Sequence, residues 1–241
     1  MVDDSATLFW RDWGAGNASE TGGNQALCQW NLEKDMYRDP TAHTIDSLTG
    51  RMGAPTGLYE KRLKDLGGIY QDQQAFAAAV ASEGERIVYT VHEMRPEQAR
   101  GDLIFGTTFM EPGRIGGEFF VTRGHIHAVA NRPEVYYGES GEGLMLMESP
   151  EGETRVLEIR PRVAVYVPPM WIHRSVNTGD APLVMSFFYP SDSGQNYDII
   201  AQSGGMATRI VADGSGWKAV PNPDYRPRAE EEVARVLETT D

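Results

Sequence analysis

One cysteine, Cys28, occurs in 241 residues, so no disulfide can form within the chain, which fits a reducing compartment. No apolar run approaches the ~20 residues a membrane-crossing helix requires, and no membrane partner is expected. No run of five or more Lys or Arg occurs, and the formal net charge is −13. That balance argues against a nucleic-acid partner, whose phosphates are gripped by clustered cations. The opening MVDDSATLFW is acidic and lacks a long apolar stretch, so no secretory signal is expected. Internal repeats and low-complexity segments are also missing. These absences together point to a cytoplasmic, soluble protein.

Apolar residues make up 40% of the chain, with five Trp, ten Tyr and eight Phe, ample for a packed core. The 26 Gly and 14 Pro suit a chain of short strands and turns. Residues 1–50 read as an irregular N-terminal arm, with Trp10, Trp13 and Trp30 among Gly-rich turns. LYEKRLKDLG (58–67) and QDQQAFAAAVASEG (71–84) read as short helices, the second closed by Gly84. From residue 86 the texture is that of strands: RIVYTVHEM, LIFGTTFM, GEFFVTRGHIH, EVYYGE, GLMLME, TRVLEIR, VAVYVPP, HRSVN and LVMSFFYP occur in quick succession. Short, evenly spaced strands separated by turn residues indicate an all-β sandwich or barrel. Residues 51–225 form its domain, and 226–241 an acidic C-terminal helix or tail.

His125, His127 and Glu134 fall within ten residues, and His173 comes after Pro168-Pro169. Side chains two apart on a strand share a face, so His125 and His127 can aim into one interior while Ile126 packs the other way. Glu134 stands a turn further on, and a barrel can bring all four to one point. Three of the five histidines and one carboxylate make a ligand set for one divalent metal per subunit. Imidazole and carboxylate suit Fe, Mn, Ni, Co or Zn, and no thiolate joins them. His43 and His92 are expected to be surface or packing residues.

Order and spacing resemble the cupin superfamily, small jelly-roll barrels with a metal in the mouth. The match narrows to cupin-type phosphoglucose isomerase. One signature is met by Thr108, Pro112, Gly116, Glu118, Thr122, Gly124, His125, His127, Glu134 and Tyr136. The other is met by Pro168, Pro169, His173 and Asn177. The resemblance covers about residues 45–225. It implies an all-β cupin fold, metal ligands at His125, His127, Glu134 and His173, and a homodimer, which would also cover the barrel's edge strands. It implies that substrate phosphate sits near Thr108, Thr122 and Gly124, with Tyr89 and Tyr197 as further contacts. Similar enzymes often carry His, near the substrate, where this chain has Gln195.

The implied reaction is metal-dependent aldose–ketose isomerisation of glucose 6-phosphate to fructose 6-phosphate, a step of carbohydrate metabolism. It moves hydrogen between C1 and C2, by way of a base or as a hydride, and needs charge stabilised on O1 and O2. Glu134 is the first candidate base. Tyr136, two residues on, shares its face and can orient substrate hydroxyls. Glu118 is either a second carboxylate for the chemistry or a structural partner. Arg123 alternates with Thr122 and Gly124 and is expected to point away from them. Because imidazole and glutamine differ in charge, a sugar with another C6 anion, such as the sulfonate sulfoquinovose, is the alternative substrate. A cupin dioxygenase and a non-catalytic sugar-binding cupin are further alternatives.

Overall fold

Strands begin earlier than the sequence pattern suggests. Residues 58–67, expected as a helix, instead form β1 (Gly57–Arg62) and a short 3-10 turn (Leu63–Leu66). Leu58 and Tyr59 are exposed, and only Leu63 and Leu66 are fully buried. That stretch therefore offers no helical stripe to the core, and its backbone gains more from pairing along an open sheet edge. The expected second helix is present as α1 (Gln73–Glu83), started by the Asp72 carboxylate accepting from the Ala75 N–H at 2.8 Å.

This computed structural model describes residues 39–96 and 101–239. Trp10, Trp13 and Trp30 of the arm lie outside the described residues. Backbone contacts divide the chain into units 1–41 and 42–241, and the second unit carries all the sheets.

Thirteen strands are present among the described residues. After α1 come β2 (Ile87–Met94), β3 (Leu103–Met110), β4 (Arg114–Ile115) and β5 (Glu118–Phe119). The middle supplies β6 (Glu134–Ser140), β7 (Gly143–Glu148), β8 (Thr154–Ile159), β9 (Ala164–Val167), β10 (Ile172–Asn177) and β11 (Leu183–Pro190). The short α2 (Asp198–Gln202) precedes β12 (Thr208–Asp213) and β13 (Gly216–Pro221), and α3 (Glu230–Glu238) forms the expected acidic helix near the end. All pairings are antiparallel and make three sheets: β1-β2-β3-β11-β6-β9, β10-β7-β8 and β13-β12-β5-β4. The chain is thus all-β with few helices, as expected.

Core and cavity arise from strand alternation. On β11, Phe187 and Tyr189 are buried while Phe188 between them is exposed, the period-two pattern of a sheet with one inner face. β7 and β10 are buried at every position, so this pair is covered on both faces. Burying a Leu, Met or Ile side chain contributes about 1.5–3 kcal/mol, and Leu144, Met145, Leu146 and Ile172 each lie at 2% exposure or less. His43 and His92 pack locally: their Nδ1 atoms stand 2.9 Å from the carbonyl oxygens of Gly53 and Gly50.

Candidate active site

The expected strand GEFFVTRGHIH is regular only at Glu118–Phe119. Beyond it the chain makes isolated bridges, Val121 with Val176, His125 with His173 and Ile126 with Asn196. Gly124 breaks the alternation with a φ of +76°, a conformation that costs glycine nothing and other residues much. The bridge at His125 is closed by two backbone hydrogen bonds, His125 N–H to the His173 carbonyl at 3.0 Å and the reverse at 2.9 Å. The main chain thereby fixes two candidate ligands, distant in sequence, side by side.

His125, His127, Glu134 and His173 all lie buried, with one donor atom from each within 4.8 Å of the others. Glu134 Oε2 is 3.0 Å from His173 Nε2, 3.2 Å from His127 Nε2 and 3.9 Å from His125 Nε2. Two atoms each about 2.1 Å from one ion stand about 3.0–3.5 Å apart, depending on the angle between them. The spacing therefore suits a shared ion. The tautomers agree. His127 Nδ1 lies 2.7 Å from the Arg132 carbonyl and His173 Nδ1 3.0 Å from the Trp171 carbonyl. A carbonyl only accepts, so each Nδ1 carries hydrogen and a neutral ring turns its Nε2 lone pair inward. His125 Nε2 is buried with no hydrogen-bond partner among the described residues. Burial and the neighbouring His173 hold His125 well below the usual histidine range, so it stays neutral. Burial alone would raise Glu134; only donated hydrogen or positive charge at the His127 and His173 nitrogens outweighs it and holds the carboxyl well below its usual range, and with the hydrogens on Nδ1 that charge has to come from a cation. Lone pairs converging on a carboxylate repel unless a cation lies between them. The four residues fit a divalent metal.

Beside this cluster opens a cavity of about 300 Å³, at the small end of ligand pockets. It brings together every residue expected at the substrate: Tyr89 from β2, Thr108 from β3, Thr122 and Gly124 from the irregular loop, and Gln195 and Tyr197 before α2. Glu134 and Tyr136 of β6 line it beside His125 and His173, while His127 sits behind. The Tyr197 hydroxyl donates to Gln195 Oε1. Burial pushes the Tyr89 phenol up to about 12, and burial together with the Glu134 charge pushes Tyr136 well above the usual range. Both present neutral hydroxyls.

Two neighbouring residues take definite places. Glu118 does not reach the cavity; it pairs with Arg209 at 2.8 Å and accepts from the Gln71 N–H at 2.6 Å, a structural role. Arg123, expected to point away, lines the cavity, its guanidinium 4.6 Å from the centre of the Tyr197 ring. The alternation that argued against it fails because Gly124 leaves the strand conformation. Lys61, Arg174 and Tyr189 also line the cavity and were missed. Lys61 was hidden by the helical reading of its segment. Arg174 stands next to His173 inside the second signature and was not considered. Tyr189 was legible from its spacing two beyond Phe187.

A buried three-imidazole, one-carboxylate cluster in an antiparallel all-β fold defines the class, a cupin-type metal-site protein. A family model described as glucose-6-phosphate isomerase matches residues 60–228. The chain is 55% identical over 199 residues to the glucose-6-phosphate isomerase of Sinorhizobium medicae (strain WSM419), covering 82% of this chain and 93% of that one. It is 41% identical over 192 residues to the glucose-6-phosphate isomerase of Thermococcus litoralis, covering 79% and 98%. The enzyme of that name from Pyrococcus furiosus is 40% identical over 192 residues, covering 79% and 100%. The chain belongs to this family, the cupin-type glucose-6-phosphate isomerases.

Proposed function

We propose that this chain is a metal-dependent isomerase that interconverts glucose 6-phosphate and fructose 6-phosphate. The observation that carries the reading is a buried His₃Glu cluster opening onto a cavity that also holds Thr108, Thr122 and Gly124. The relatives named above bear the name of the phosphate substrate, which favours it over a sulfonate sugar.

His125, His127, Glu134 and His173 would hold one divalent first-row metal. When bound, such an ion polarises substrate oxygens as a Lewis acid and stabilises the charge that develops on O1 and O2. The sugar's reacting end lies toward the cluster, and its C6 phosphate toward Thr108, Thr122 and Gly124. Hydroxyls of the two threonines donate to phosphate oxygens, and Tyr89 and Tyr197 contact the sugar. Tyr136, held neutral by burial and the Glu134 charge, keeps its proton and orients a substrate oxygen. Glu134 is the carboxylate placed to carry hydrogen as a proton between C1 and C2; a hydride route would leave it as a ligand only. Gln195, held by the Tyr197 hydroxyl, contributes a neutral amide where related enzymes often carry imidazole.

A homodimer would cover the outer face of the six-stranded sheet. There Phe188 pairs with Phe105 and Val135, and Val135 with Tyr166, leaving Phe188 and Tyr166 exposed. Mass in solution checks it. A cytoplasmic location is consistent with the lone cysteine, and no helix among the described residues is long and apolar enough to cross a membrane.

Metal-loaded protein should convert glucose 6-phosphate to fructose 6-phosphate and turn over sulfoquinovose far more slowly. Absence of fructose 6-phosphate from protein shown to contain metal overturns the assignment.

A further inference from the structure

Behind the Thr122–Gly124 turn lie three arginines and two glutamates, of which Arg174, Arg209 and Glu148 are buried and Glu118 and Arg228 half-buried. Arg209 stands 2.8 Å from Glu118, and Arg228 stands 2.8 Å from Glu148. Both arginines face a carboxylate directly, although Arg228 Nε is buried without a hydrogen-bond partner. Arg174 is the odd member: it is 8% exposed and makes no ion pair among the described residues. Its Nη2 donates to the Arg123 carbonyl at 2.7 Å, and its Nε is buried without a partner. Keeping an unpaired guanidinium out of water is costly, so a site that retains one is a candidate for binding an anion.

The backbone above it is shaped around this side chain. A Cβ on Gly124 would stand 2.9 Å from Arg174 Cβ and 3.0 Å from its Nε. Glycine at this position is therefore required twice, for its φ and for the passage of the arginine. The Ser175 N–H donates to the Thr122 hydroxyl at 3.0 Å, so β10 grips the turn at two points. A trans peptide sets its N–H opposite its carbonyl. With the Arg123 carbonyl drawn to Arg174, the Gly124 N–H is left on the other side with no acceptor among the described residues. Lys61 and Arg123 add cations to the cavity, and the nearby Glu93 is engaged by Arg95 at 3.0 Å. Arg123 is exposed and Lys61 half-buried, so solvent screens them more than it screens Arg174.

We propose that Arg174 is the residue by which the cavity selects a doubly charged C6 substituent. It positions the Gly124 N–H toward that group through the Arg123 carbonyl and supplies, from beneath the turn, a positive charge that forms no direct ion pair among the described residues. The proposal rests on the reading that this cavity takes a sugar phosphate, and it names the origin of the specificity.

The test uses the metal-loaded full chain and the variants Arg174→Met, Arg174→Gln and Arg174→Lys. Arg174→Met should raise KM for glucose 6-phosphate and Kd for inorganic phosphate about tenfold, as expected for losing hydrogen bonds to a charged group. KM should rise by a larger factor than kcat falls, and the inhibition constant of neutral glucitol should shift less than about twofold, because it carries no charge for Arg174 to meet. Arg174→Lys should recover most of the phosphate affinity. If Met does not fold at this position, Arg174→Gln carries the same expectation. On the unaltered chain, glucose 6-sulfate, a monoanion of similar shape, should bind at least about tenfold more weakly than glucose 6-phosphate. Equal affinity for the two esters, an unchanged phosphate Kd in Arg174→Met, or equal losses for phosphate and glucitol overturns the proposal. Phosphate binding by calorimetry needs no turnover, so an inactive wild-type protein would end the functional reading while this test of Arg174 still reads out.

Discussion

On one face of the β7–β8–β10 sheet, His173 and Ser175 look into the cavity; on the other, Arg174, which also reaches the cavity lining, stands across from Leu146 and Glu148 across from Ile172. Both faces are buried and both carry ionisable groups. Behind the sheet, Glu148 pairs with Arg228 and Glu118 with Arg209, with Arg228 Nε left over. In front, His127 and His173 turn lone pairs toward a carboxylate and His125 Nε2 has no partner among the described residues. A protein that needs only to stand up closes its buried charges internally. One that needs to bind leaves them open in a fixed arrangement. The difference separates scaffold from site across the thickness of a single sheet.

Substitutions on the two faces should fail differently. The largest effect is expected from His173→Ala on the cavity face. Bound metal should fall from one ion per chain toward none, and turnover should drop about 10³-fold, the equivalent of several kcal/mol of lost charge stabilisation. Elemental analysis and fructose 6-phosphate formation check it, and full activity without bound metal would erase the distinction. Next is Glu148→Ala behind the sheet, which strands the Arg228 charge. It should cost about 3–5 kcal/mol of stability in urea unfolding, whereas replacing both partners with apolar residues of similar size should cost far less. Equal losses would mean that this pair is more than self-compensation.

A smaller effect is expected where the two faces communicate, at Gly124. Gly124→Ala must hold φ near +76° and displace Arg174, so KM for glucose 6-phosphate should rise about tenfold, while the conformational penalty should cost about 1 kcal/mol of stability. Steady-state kinetics and denaturation, run in parallel, separate the two. The smallest concerns the wall of the cavity. Gln195→His introduces a ring with an ordinary pKa of about 6.5. Below that value the ring is a cation and favours an anionic sugar, so KM should fall about threefold between about pH 8 and pH 6, where the parent chain shows a flatter profile.

The four candidate ligands were legible because chemistry restricts such sets to few residue types and the signatures fix their spacing. Tyr89, Thr108, Thr122, Gly124, Gln195 and Tyr197, which the resemblance implied as substrate contacts, all line one cavity. The readings that failed share a physical cause. Leu58–Gly67 has strong helix formers, yet its exposed Leu58 and Tyr59 leave sheet pairing to decide, and pairing is a long-range property. Arg123 was placed by alternation beside Gly124, which leaves strand geometry. Glu118 belongs to a signature for structural reasons, since its partner Arg209 lies far along the chain. Only the folded chain shows that Glu118 and Glu148 answer two of the three arginines behind the turn.

Mutual backbone hydrogen bonding between His125 and His173 also bears on which element the protein carries. The ligand frame is set by the peptide scaffold and does not wait for an ion to assemble it. Such a frame accommodates several cations of similar radius and hardness with little rearrangement, and intrinsic affinity across the first transition row then obeys the usual order. Which ion fills such a frame would then depend on local supply, and populations grown on different trace-element diets would harbour the same polypeptide loaded with different elements.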